Sequence, residues 1–260
     1  MKKEDFLALN AEKIASFSKS DVLVRVFDTI DSTNNEAKRM MEGGFCGKAI
    51  ITSEEQTGGR GRLGRSFYSP ASTGLYFTVI VPLCFPAEDA TLLTPAAAVA
   101  VTRVLEKHFL CNLKIKWVND IYKEGKKVCG ILAEAVLNME KGGFAGFAVG
   151  IGINLSTADF PDDIANIAAS FDDNSADRNK ISAEIAEELF SFAENLSARE
   201  FLQEYREHSY VTGKEIYFIR DGEKNNATAL GIDNDGGLSV RLENGDVTVL
   251  RGGEITVRIR

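Results

Sequence analysis

Apolar residues recur with two different periods along this chain, and the change falls near residue 213. Upstream, helix-period and strand-period segments alternate. Phe6, Leu9, Ile14 and Phe17 lie among charges, which predicts an amphipathic helix within residues 4–17. Residues 22–27 alternate as a strand does. Asp31-Ser32-Thr33-Asn34-Asn35-Glu36 then predicts a helix start, with Thr33 and Glu36 as a capping box and a stop at Gly43-Gly44. Strands are predicted at 49–52, 75–81 and 113–118. Thr94-Pro95 predicts a capped helix running to about residue 109. Two apolar runs, 126–137 and 143–153, flank a polar break and predict a hairpin. Helical patterns follow at 182–195 and 200–207. Downstream of residue 213, five short alternating segments at 215–219, 227–232, 238–242, 247–250 and 255–259 are separated by Asp235-Gly236-Gly237, Asn244-Gly245 and Gly252-Gly253. Asn-Gly and Asp-Gly steps are hairpin signals, so this stretch predicts a small β-barrel packed on the rest.

Composition narrows the function. The 260 residues carry a net charge of −8, which argues against binding nucleic acid over a broad face. Cys46, Cys84, Cys111 and Cys129 form no Cys-x-x-Cys pair, and His108 and His208 are the only histidines. Zinc sites, redox motifs and Ser–His or Cys–His nucleophiles are therefore not expected, nor any metal held by protein His or Cys. The charged start Met1-Lys2-Lys3-Glu4-Asp5 lacks a signal-peptide core, and no run has the length of a membrane span. A soluble cytoplasmic protein with reduced thiols is expected.

Against that acidic background, Gly59-Arg60-Gly61-Arg62-Leu63-Gly64-Arg65 is a local basic spot. Three guanidiniums are costly to bury, and three glycines weaken a regular element. The composition suits a loop wrapping a small anion with forked donors; a solvated basic turn or an arginine-glycine segment for nucleic acid is the alternative. Lys116-Trp117-Val118-Asn119-Asp120 at a strand end reads either as a site or as an ordinary exit into a turn. Lys127 stands where a polar loop meets an apolar strand. Gly130 inside that strand marks a bulge or a ligand passing close to the backbone. Gly150-Ile151-Gly152-Ile153-Asn154-Leu155 is not a dinucleotide fingerprint: Leu155 holds the third glycine position and no helix signal follows. Close approach of the backbone to a ligand or neighbour explains its glycines better. Arg, Lys, Asn and Asp around glycine-rich backbone suit electrostatic stabilisation of phosphoryl or acyl-phosphate chemistry.

Taken in order, Asp31-Ser32-Thr33-Asn34, Gln56, the Gly59–Arg65 loop, Lys116-Trp117-Val118-Asn119-Asp120, Lys127 with Gly130-Ile131-Leu132, and Gly150-Ile151-Gly152-Ile153-Asn154 resemble the biotin protein ligases, or biotin–[acetyl-CoA-carboxylase] ligases. The resemblance implies an α+β fold: a mixed, mostly antiparallel sheet with flanking helices, like a class II synthetase. This catalytic domain would span residues 1–212, with a small C-terminal SH3-like β-barrel at 213–260. It implies that biotin and ATP, with Mg²⁺, give biotinyl-5′-AMP, and that a lysine of a biotin carboxyl carrier protein or domain, from acetyl-CoA or pyruvate carboxylase, takes the biotin. Lys127, Arg60, Arg62 and Asp120 would be catalytic. Ser32, Thr33, Asn34, Gln56, Gly59, Arg60, Arg62, Lys127, Gly130, Leu132 and Gly152 would bind biotin. Arg62, Arg65, Trp117, Asn119, Lys127 and Asn154 would bind the nucleotide. Val118 stands where that family usually has proline, which leaves the local turn geometry open. The stretch before the Ser-Thr-Asn motif is too short for a helix-turn-helix domain, so DNA binding is not expected; a homodimer is compatible with the resemblance. A lipoate–protein ligase sharing the adenylation logic, and a non-enzymatic nucleic-acid module, are the alternatives.

Overall fold

A computed structural model of the chain describes residues 7–137, 143–220, 222–252 and 256–259. In chain order the elements are α1 (Ala11–Phe17), β1 (Leu23–Ile30), α2 (Thr33–Glu42), β2 (Ala49–Gln56), β3 (Gly74–Pro82), α3 (Leu93–Phe109), β4 (Lys114–Lys116), β5 (Asp120–Lys123), β6 (Lys126–Leu137), β7 (Phe144–Asn154), α4 (Arg178–Glu194), α5 (Phe201–Glu207), and then β8 (Glu215–Arg220), β9 (Glu223–Ile232), β10 (Leu238–Leu242), β11 (Val247–Leu250) and β12 (Thr256–Ile259). Seven strands form one sheet in the order β1-β2-β3-β7-β6-β5-β4, and five form a second in the order β11-β10-β9-β8-β12. In the first, β1 and β2 are parallel, joined through α2, and every other pair is antiparallel. This is the α+β arrangement expected, with helices flanking a mixed sheet. No described helix is long and apolar enough to cross a membrane.

Strand alternation sends successive side chains to opposite faces of the large sheet. One face carries Phe77, Val79, Val81, Ile131, Val149, Ile151 and Ile153 and packs in the main core with α3 and α4. The other carries Ile51, Ile80 and Ala148, covered by Ala37, Met40 and Met41 of α2. Because α2 is only ten residues long, it covers one end of that face and leaves the other end open. The N-terminal segment is tied down by Arg178, which is buried and holds Glu54 through two contacts of 2.6 and 2.9 Å and the Leu7 carbonyl at 3.1 Å.

Several local expectations need correction. Only residues 11–17 of the first predicted helix are helical, and residues 4–6 lie outside the described residues. The capping box does not form: Ser32 is the N-cap, Thr33 is already helical, and Glu36 is drawn to Arg25 and Arg39. Thr94 does not cap α3 either. A tight turn, Ala87–Leu92, runs straight into the helix because Leu92 and Leu93 are both buried. Pro95 still falls in the first turn, where its missing N–H is not needed. The strand predicted at 113–118 shortens to β4, and β5, which the pattern did not reveal, pairs with it beyond the Trp117–Asn119 turn. The Trp117–Val118 peptide is cis. The five C-terminal strands appear as expected, as an antiparallel sheet, except that residue 255 lies outside the described ones.

The second sheet is joined to the first through its Asp233–Gly237 turn. The buried Trp117 indole N–H donates to the Gly236 carbonyl at 3.0 Å. Arg206 reaches the Ile232 and Asp233 carbonyls, and Arg199 bridges Asp89 and Asp235. Trp117→Phe keeps the apolar ring but orphans the Gly236 carbonyl. The expected loss is about 1–3 kcal/mol of stability in urea denaturation, the penalty for one buried unsatisfied acceptor. An unchanged midpoint would show that this bond does not hold the joint.

Candidate active site

The open end of the sheet is a trough made by missing side chains. Gly130 on β6 pairs directly with Gly152 on β7, and Leu132 pairs with Gly150. The vacated space is used. A methyl group at Gly152 would lie 2.4 Å from the Phe67 ring, and one at Gly150 would lie 2.2 Å from Asn34 Oδ1. The Gly150–Asn154 segment is thus strand rather than dinucleotide loop, and its glycines serve close approach, as expected. The expected irregularity near Gly130 is present too: β5 and β6 shift register between Tyr122↔Lys127 and Ile121↔Cys129.

The N-terminus of α2 stands over this trough. Thr33 donates from its backbone N–H and its hydroxyl to Gln56 Oε1, at 2.9 and 3.1 Å. Thr78 Oγ1 donates within a buried cluster to Asn34 Oδ1 at 2.6 Å and lies 2.8 Å from Thr33 Oγ1. Gln56 Nε2 donates to Ser69 Oγ. Ser32 is the N-cap of the helix, makes no side-chain capping bond, and lines the pocket. The result is a concave polar wall of fixed amides and hydroxyls, suited to a ligand with several hydrogen-bonding groups in one ring.

The glycine-arginine segment folds as a short hairpin. Phe67 N–H donates to Gly59 O, Gly61 N–H donates to Arg65 O, and Arg60 bridges Ser66. Its arginines diverge. Arg60 donates to Asn35 Oδ1 at 2.9 Å. Arg62 donates to Asn119 Oδ1 at 3.1 Å and is largely desolvated, which pulls its pKa down despite the opposing charge of Asp120. Arg65 lines a second, larger cleft beside the trough.

The trough and the second, larger cleft adjoin. Arg62, Phe67, Asn119 and Lys127 belong to both and form the wall between them. Lys127 Nζ is 2.7 Å from Asp120 Oδ1. Asn119 is fixed by donating Nδ2 to Ile131 O at 2.7 Å. Lys116 lines the second cleft and donates from Nζ to Tyr122 Oη at 3.2 Å. Desolvation, and then the neighbouring Arg258, push its amine down to about 8.

Every residue given a catalytic or binding role from the sequence, except Gly59, lines one of the two spaces. Ser32, Thr33, Asn34, Gln56, Arg60, Gly130, Leu132 and Gly152 line the trough; Arg65, Trp117, Asp120 and Asn154 line the larger cleft; Arg62, Asn119 and Lys127 line both. Gly59 lies outside both linings: a methyl there would meet Phe67 O at 2.4 Å, so its place is in the hairpin. Trp117 presents a cleft wall, but its N–H is committed to Gly236. Sequence reasoning missed Phe67 and Tyr68, although an aromatic pair directly after the loop was a usable signal. It left Lys116 without a site role. Phe160, Ile164 and Ile167 come from an irregular segment, and Arg258 comes from β12, more than a hundred residues from the motifs; nothing local marks them.

Residues 26–154 match the Biotin/lipoate A/B protein ligase family. A biotin–[acetyl-CoA-carboxylase] ligase of Paracoccus denitrificans is 39% identical over 132 residues, 49% of this chain and 52% of that protein. A bifunctional ligase/repressor of Escherichia coli is 28% identical over 90% of this chain and 74% of its own. Among solved structures, a biotin protein ligase from Aquifex aeolicus in complex with biotin and ATP is similar, with a TM-score of 0.75 and 26% identity over 92% of this chain and 99% of that one.

The amine of Lys116 yields a pH test. Its value of about 8 lies below the ordinary 10.5, so between those values the unfolded chain binds more protons than the folded one. Its contribution to folding stability therefore rises with pH from about 8 to 10.5. Denaturation across that range should show a wild-type slope more positive than that of Lys116→Met. Equal slopes would mean the amine is not desolvated.

Proposed function

The chain belongs to the biotin/lipoate A/B protein ligase family, and on that premise we propose how its two adjoining spaces divide the work of an ATP-dependent biotin protein ligase. The observation that carries the reading is the shared wall: Lys127, Arg62 and Asn119 stand between a polar trough and a larger cationic cleft. Biotin takes the trough, its ureido ring against Ser32, Thr33, Asn34 and Gln56 and its tail along Gly130, Leu132 and Gly152. ATP takes the larger cleft, among Arg65, Asn119, Asn154 and the face of Trp117. The biotin carboxylate and the α-phosphate then meet at Lys127.

The carboxylate oxygen attacks the α-phosphorus as the bond to pyrophosphate breaks, giving biotinyl-5′-AMP. Negative charge builds on the phosphoryl oxygens, and Lys127 and Arg62 are the cations placed to stabilise it. Mg²⁺ would arrive with the nucleotide phosphates and offset their charge. Asp120 is the only carboxylate among the residues lining the larger cleft, and it is already paired with Lys127. Once Lys127 turns to the phosphate, Asp120 is released to orient the acceptor amine and take its proton. The amine attacks the mixed anhydride carbonyl and AMP leaves. The acceptor is a lysine of a biotin carboxyl carrier protein or domain, for which we propose an acetyl-CoA or pyruvate carboxylase in the cytoplasm. We assign residues 1–212 to the catalytic domain and 213–260 to a second domain of SH3-like type; Val257 and Arg258 of the latter line the nucleotide cleft.

The direct test incubates the chain with ATP, Mg²⁺, biotin, lipoate and a carrier domain and reads the carrier by mass and streptavidin blot. A biotin mass shift is expected; a lipoyl shift or no shift overturns the reading. The half-reactions test the roles. Lys127→Ala should lower pyrophosphate release roughly 10²–10³-fold, the usual effect of losing one transition-state donor. Asp120→Ala should chiefly slow transfer to the carrier. Because the two side chains are paired at 2.7 Å, the double variant should lose less than the product of the single losses; multiplicative losses would separate them.

A further inference from the structure

Glu134 touches the site from outside both pockets. On β6 it continues the face of Gly130 and Leu132 and sits opposite Ala148. Its strand neighbour Val136 and its cross-strand partner Ala148 both belong to the apolar cluster under α2. Three donors converge on it from two elements. Asn34 Nδ2 and Lys38 Nζ of α2 lie 2.9 and 2.5 Å away, and Arg60 Nη2 of the hairpin lies 3.3 Å away. Arg60 also donates to Asn35. Burial acts to raise the carboxyl pKa, but Lys38, Asn34 and the charge of Arg60 outweigh it and keep the group ionised. Lys38 alone would neutralise Glu134, so the approach of Arg60 is an addition. It fastens the hairpin to the helix that presents Ser32, Thr33 and Asn34.

We infer that Glu134 is a positioning residue that anchors Arg60 and so holds the glycine-arginine hairpin closed over the trough. Through Asn34, which touches both Glu134 and Thr78, the same carboxylate sets the register between the closing hairpin and the polar wall. What lies under the hairpin, biotin and its adenylate, rests on the ligase reading; the anchor itself does not.

The test uses Glu134→Gln, which keeps an acceptor for Asn34 and removes the charge. In ligand-free protein, tryptic cleavage after Arg60, Arg62 and Arg65 should accelerate with the melting temperature unchanged. In protein preloaded with labelled biotinyl-5′-AMP, release should quicken about two- to fivefold, the effect of one partly exposed ion pair. Arg60→Met should do the same, and the double variant should release no faster than either single one. Lys38→Met disturbs the same carboxylate but leaves Arg60 in place, so it should not speed release; a merely structural cluster would respond to it equally. Parental cleavage and release in Glu134→Gln, or multiplicative losses in the double variant, would overturn the anchor. If the parent forms no adenylate the ligase reading fails, and the trypsin arm alone still decides the anchor.

Discussion

The site depends on one steric constraint: Gly130 and Gly152 must face each other across β6 and β7 with no side chain between them. A sheet normally presents a continuous layer of Cβ atoms, and this one is interrupted beside the start of α2. The gap admits the Phe67 ring from the hairpin, with Asn34 entering over Gly150 next to it. Any side chain at these positions would push those groups away. The main core on the opposite face, with Val149, Ile151 and Ile153 alternating with the glycines, would remain intact. One strand thereby packs the core on one face and lines the candidate site on the other.

Charge is organised around the same gap. Cations converge on the second cleft from the hairpin, β4, β6 and β12, as Arg65, Lys116, Lys127 and Arg258. On a chain of net charge −8, such a concentration needs stable neighbours. Asp120 supplies one beside Lys127 and Glu134 another beside Arg60. Burial first, and then the charge of Arg258, lower the pKa of the Lys116 amine in this cleft. In the proposed reading, the nucleotide phosphates would offset this crowding of cations.

The C-terminal sheet is part of this arrangement. Its docking turn receives the Trp117 N–H, and Trp117 begins the turn that carries Asn119 and Asp120. Tyr205 donates to the Val118 carbonyl from the other side. The turn bearing the central amide and carboxylate is thus clamped between α5 and the second sheet, while β12 returns Arg258 to the cleft.

Elements governed by local periodicity were legible in the chain itself. β6, β10 and β11 fall on the apolar runs that predict them, and α2 ends at its Gly43-Gly44 stop. The short motifs were visible in the chain as well, and the residues given site roles from them, Gly59 excepted, line the two spaces. What the chain could not disclose was set by packing between distant segments. Burial of Leu92 and Leu93 moved the start of α3, and Arg25 and Arg39 drew Glu36 away from its cap. β5 was too short for periodicity to reveal. The roles of Phe67, Glu134 and Arg258 arise only when the hairpin, β6 and β12 meet. Periodicity reports which face of an element is buried; which side chains then touch is decided by the sheet order and by how its elements close on one another.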